Sequence, residues 1–124
     1  MADLRNLRVL AAAHDLCAAI HDAASHIRVG KVPGLRAQLL AAADAIPANI
    51  AEAAGLSSDQ QFARGISIAL GSANEVGAHL RVARASGALD VHTARRCQAK
   101  RAVVCQMMER LLRAIRSRIA RADP

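Results

Sequence analysis

His14, Cys17 and His21 are the residues of this chain best equipped to hold a metal ion, and they recur at i, i+3 and i+7. Thiolate and imidazole are good zinc ligands, and the spacing places all three on one stripe of a helix. Seven residues of helix nevertheless span roughly 10 Å along the axis, too far for both histidines to reach one ion. The stripe therefore reads as interface or half-buried side chains beside an apolar seam, and no metal or cofactor is assigned to it. Glu75 and His79 invite comparison with di-metal carboxylate bundles, which need Glu-x-x-His pairs on two helices. Here the two residues are four apart and no second pair exists. Without a Ser/His/Asp grouping, a phosphate-cradling glycine loop or paired carboxylates, the chain is expected to be non-enzymatic.

Two further polar pairs lie three residues apart, Asn49 with Glu52 and Ser72 with Glu75. Pro47, just before the first pair, cannot donate a backbone hydrogen bond and leaves the carbonyl of Ala43 without its helical donor. Asn49 or a neighbouring polar group is expected to help satisfy that disturbed backbone. Glu52 is expected to face polar partners on the next helix, Ser72 and Glu75 among them, in a buried cluster that fixes helix register. The competing reading is a ligand or metal pocket between the two helices. Gly71, Ser72 and Ala73 are small enough to let two helix backbones approach closely.

Charge is the third chemical resource. The chain carries a net +7. Residues 1–89 hold eight basic and seven acidic side chains, whereas residues 90–124 hold nine basic and three acidic. On a helical wheel Arg96, Lys100, Arg110, Arg118 and Arg121 fall within about 40° of one line, flanked by Arg95 and Arg113. Such a face attracts phosphate backbones through counterion release. Phe62 is the only aromatic residue, and one aromatic cannot build a stacking platform for bases, so binding would be salt-sensitive and poor in sequence preference. The bland alternative is a solvated helix face. Arg101 projects onto the apolar side, where its stem can lie along other helices or its head can pair with an acid.

The elements that position these residues are four helices. Alanine supplies 30 of the 124 residues, the best helix former but one that buries little apolar area. The first helix runs from about Leu4 to Ile27, with a seam of Val9, Ala13, Leu16, Ile20, Ala23 and Ile27. Residues 30–34, GKVPG, break it. The second runs from about Gly34 to Ala54, with a seam of Leu35, Leu39, Ala42, Ile46, Asn49 and Ala53, a kink at Pro47 and Gly55 as the stop. The third starts at Ser57 or Ser58, each with a glutamine three residues on (Gln60, Gln61). It carries Phe62, Ile66, Ala69, Ala73, Val76, Leu80 and Ala83 on one face and ends at Gly87. Asp90 caps the fourth, which reaches about Ala120 and turns Cys97, Val104, Met108, Leu111, Leu112, Ile115 and Ile119 to one side. No strand pattern occurs, and the short connections make neighbours antiparallel. The fold class is all-α, an up-down-up-down antiparallel four-helix bundle in one domain spanning residues 1–124. The longest uncharged run is the ten residues between Arg64 and Glu75, half of what a membrane-spanning helix needs. Three cysteines, Cys17, Cys97 and Cys105, form no paired motif and read as reduced thiols of a cytoplasmic protein.

GLRAQLLAAADAIPANIAEAAG (34–55) and FARGISIALGSANEV (62–76) together resemble the four-helix-bundle family named after proteins encoded in intervening sequences of 23S ribosomal RNA genes. The matching positions are Gly34, Leu35, Gln38, Ile46 to Glu52, Phe62, Arg64, Ala69, Gly71, Ser72 and Glu75. The family usually has glycine where this chain has Ala53, a basic residue where it has Leu56, and aromatics near Leu4 and Leu10. The resemblance implies a homopentameric ring of bundles and no established activity. A structural relative, the accessory protein of diversity-generating retroelements, binds nucleic acid beside a reverse transcriptase. The partners expected are therefore further copies of the chain, RNA or DNA, and a nucleic-acid-processing protein, with no membrane. The alternative is an oligomeric scaffold or protein-interaction ring without nucleic acid.

Overall fold

A computed structural model describes residues 4–55 and 58–122, with the side chains of residues 4–7 outside the description. Four α-helices account for nearly all of it: α1 (Leu4–Ala24), α2 (Leu35–Ala54), α3 (Asp59–Ala85) and α4 (Val91–Ala122). Each packs on the two helices beside it, α1 on α2 and α4, α3 on α2 and α4, and no diagonal pair meets among the described residues. That cyclic pattern is an up-down-up-down four-helix bundle. The turn after α1 and the turn after α3 sit at the same end and are tied together, the Arg28 amide donating to the Ala88 carbonyl at 2.9 Å.

One core runs the length of the bundle. Leu16, Ile20, Leu39, Ile46, Ile66, Leu80, Met108 and Ile115 are fully enclosed, each stabilising by about 1.5–3 kcal/mol through burial. Between them lie Ala13, Ala43, Ala69, Ala73 and Ala83, all at 0% exposure. The seam predicted for α3 is buried at every position, and that of α4 at all but Ile119, which is half-buried.

Helix ends show where local chemistry decides. Ser58 adopts extended backbone and its hydroxyl accepts the Gln61 amide at 3.1 Å, starting α3; Leu56 and Ser57 lie outside the described residues. The Thr93 amide donates to Asp90 Oδ1 at 3.0 Å and so starts α4. Gly34 and Gly87 adopt φ of +86° and +76°, the left-handed region that favours glycine. Gly55 ends α2 in right-handed conformation instead, φ −87°, so its backbone does not require glycine. α1 stops three residues before the predicted Ile27. Arg36 caps that end, donating from Nε to the Ala24 carbonyl and from Nη2 to the Ile27 carbonyl, both at 2.8 Å.

α2 continues through Pro47 without a break. Its seam departs from expectation: Ile50, Ala43 and Pro47 are buried, and Asn49 is only half-buried. Asn49 Nδ2 donates to the Ala45 carbonyl at 2.7 Å. The asparagine therefore reinforces its own turn of helix rather than serving Ala43, the carbonyl that proline deprives.

Candidate functional site

α4 is the most strongly two-sided helix of the bundle. Ala94, Cys97, Val104, Met108, Leu111, Leu112 and Ile115 face inward, and Arg95, Arg96, Arg110, Arg113 and Arg121 are exposed. Two members of the predicted basic line turn toward neighbouring helices. Lys100 Nζ meets Asp15 Oδ2 of α1 at 2.8 Å. Arg118 grips Asp59 at the start of α3, Nη2 to Oδ1 at 3.0 Å and Nε to Oδ2 at 3.4 Å. The outward charge thus centres on Arg95, Arg110 and Arg113, which make no ion pair among the described residues. Among the described residues Arg96 and Arg121 reach only the hydroxyls of Thr93 and Ser117. Arg116 is exposed as well, and Arg8 of α1 shares a shallow depression with Arg110. Neither joined the predicted line, Arg8 because only packing brings α1 beside α4. Arg101 is half-buried, bonded through Nε to Gln98 Oε1 at 2.7 Å and laid across Gly77 of α3.

The motif residues of α2 and α3 do not form a buried cluster. Glu52 and Glu75 are exposed, Asn49 and Ser72 half-buried. Asn49, Glu52, Gln61 and Arg64 line one open groove between the two helices, and Gln38, Ser72, Glu75 and His79 line another. Alanines fill the contact between α2 and α3, and these polar side chains, one step round each helix, stand at its rim. Gly71 makes no close approach either: a Cβ there would have open space. The close contacts lie elsewhere on α3. A Cβ on Gly65 would come within 2.4 Å of Ala53 Cβ, and one on Gly77 within 2.8 Å of Arg101 Nε.

The third grouping joins α1 to α2. Cys17 Sγ donates to Asp44 Oδ1 at 3.1 Å, and His21 Nε2 lies 2.6 Å from the same oxygen. Burial, then the hydrogen bond to Asp44 and its charge, push the Cys17 thiol up to about 11. The hydrogen bond with His21 and that with Cys17 hold the Asp44 carboxyl below its ordinary value. His14, the other histidine of the predicted stripe, stays exposed.

A comparison with protein families settles the kinship. Residues 5–110 match the model of the 23S rRNA-intervening sequence protein. The chain belongs to this family. A search of curated proteins gave no match.

For a 23S rRNA-intervening sequence protein, the matched span takes in nearly all of α1, α2 and α3 and the first two-thirds of α4, with Arg95, Arg96, Lys100 and Arg110. Arg113, Arg118 and Arg121 lie beyond it. Ala53, which stands where the resemblance leads one to expect glycine, is accommodated across the contact by Gly65, the residue with no Cβ to oppose it.

Proposed function

We propose that this family member is a non-enzymatic, cytoplasmic helical bundle that assembles as a homopentameric ring and binds RNA or DNA phosphates weakly through α4. The observation that carries the reading is the outward row of Arg95, Arg96, Arg110, Arg113 and Arg121, whose charge is not cancelled, among the described residues, by acids on neighbouring helices. Guanidinium groups on an exposed helix face neutralise phosphates and release counterions, independently of base sequence. Five copies around a ring multiply that field. Assembly draws support from Ile68, Val82 and Val103, large apolar side chains left 45–55% exposed on α3 and α4. A nucleic-acid-processing protein is the partner class that fits such a ring.

Fluorescence anisotropy with labelled single- and double-stranded RNA and DNA, at low and near-physiological salt, tests the reading. An Arg95→Glu, Arg96→Glu, Arg110→Glu, Arg113→Glu variant leaves the Lys100–Asp15 and Arg118–Asp59 pairs in place. Wild-type binding should survive near-physiological salt and vanish in the variant. The slope of log affinity against log salt should reflect about 0.9 per phosphate neutralised on duplex DNA. A second reading, a scaffold ring for protein partners, is favoured by Val103, which lies seven residues from both Arg96 and Arg110 and puts an apolar side chain inside the basic face. Binding confined to low salt and retained by the variant would select it.

A further inference from the structure

Cys17, His21 and Asp44 bring a thiol, an imidazole and a carboxylate together with their donor atoms all within 4.8 Å of one another. It is the one such grouping found among the described residues. Cys17 and His21 are four apart on α1, the spacing at which two side chains project from one helix face toward the same point, as in metal-binding i, i+4 pairs. Asp44 completes the set from α2, so the ligands are held by two packed helices rather than by a loop.

We propose that this cluster is a zinc site. The donor set is one sulfur, one nitrogen and one oxygen, a mixture that suits a borderline-soft ion and not the all-oxygen shell of magnesium or calcium. Tetrahedral zinc with its usual bond lengths sets neighbouring donors about 3.3–3.6 Å apart. The present separations, 3.1 Å for sulfur to oxygen and 2.6 Å for nitrogen to oxygen, need to widen by less than about an ångström. His21 and Asp44 have room for that, with side chains 49% and 56% exposed. Binding replaces the Cys17 S–H bond by a sulfur–zinc bond and releases the proton to solvent. His21 coordinates through Nε2, Asp44 through one oxygen, and water completes the tetrahedron on the exposed side. The site lies on α1 and α2, apart from the outward arginines of α4, so it stands or falls independently of nucleic-acid binding.

Cobalt(II) titration of the full chain, stripped of metal by chelator dialysis and held reduced, tests the proposal. One ion per chain is expected, with intense tetrahedral d–d bands in the visible and a thiolate-to-cobalt charge-transfer band in the near ultraviolet. Zinc should displace it and excess magnesium should not. Cys17→Ser should abolish the charge-transfer band. His21→Gln and Asp44→Asn should each weaken binding by more than the ~10–100-fold that loss of an outer-shell partner costs. His14→Gln and Cys105→Ser should change neither spectrum nor affinity. Circular dichroism of each variant confirms that the helices persist, which the exposure of the site predicts. A charge-transfer band that survives Cys17→Ser, loss of the spectrum on adding magnesium, equal weakening by His14→Gln, or the absence of tetrahedral cobalt in the folded wild type would each overturn it.

Discussion

At the residue scale the tightest constraint is a missing atom. Gly65 sits where a Cβ would press within 2.4 Å of Ala53 Cβ, and the obstacle is a short side chain fixed to a packed helix, which cannot swing aside. Gly65→Ala is expected to destabilise the fold by about 1–3 kcal/mol, the usual cost of overpacking, in a urea titration. Adding Ala53→Gly should recover much of that loss, and a double-mutant cycle should return a coupling of about 0.5–3 kcal/mol. Additive effects would mean the two helices part elsewhere. Ser58→Ala, which leaves the Gln61 amide without its acceptor, should cost about 1 kcal/mol. The cap was legible in the sequence as a serine followed by a glutamine; the Gly65–Ala53 contact was not, because no pattern within either helix says which turn of one faces which turn of the other.

At the element scale, α4 begins on a single carboxylate. The Thr93 hydroxyl and then its amide hold Asp90 below its ordinary value. A depressed carboxyl contributes stability that is full above the unfolded pKa and fades as pH falls through the folded one. Thermal unfolding followed from neutral into acid pH should therefore show a steeper decline in the wild type than in Asp90→Ala. Parallel curves would remove Asp90 from the account. In α2 the issue is a missing donor. Pro47→Ala restores an amide facing the buried carbonyl of Ala43, so hydrogen exchange of the neighbouring α2 amides should slow. Unchanged protection would show that proline leaves the ladder undisturbed. The asparagine two residues on holds Ala45, not Ala43: Ala45 lies one turn back on the asparagine's own side of the helix, whereas Ala43 is six residues back, about 9 Å along the axis and turned away.

At the scale of the whole molecule, the exposed Ile68, Val82 and Val103 bear on assembly. Light scattering should find a species of about 65 kDa, five times the 13.0 kDa chain, as expected of a closed cyclic ring. A 13.0 kDa species would remove the ring and with it the multiplied field proposed for α4. Lys100 and Arg118 show how packing redistributes charge: each lies on the predicted basic line, and each is neutralised by an acid from another helix, Asp15 and Asp59.

The sequence by itself determined the four helices, the cap at Asp90, a serine cap at Ser57 or Ser58, and the inward faces of α3 and α4. These follow from periodicity and from hydrogen bonds made within three or four residues. Family membership was legible for the same reason, in runs of residues from Gly34 to Gly55 and from Phe62 to Val76. Tertiary structure alone decided what lies between helices. It moved Glu52 and Glu75 from an expected buried cluster to the rim of an open groove, and it brought Asp44 of α2 to Cys17 and His21. Such encounters join residues 12 to 85 apart in the chain. They depend on the relative rotation and height of two packed helices, which the period of either helix leaves undetermined.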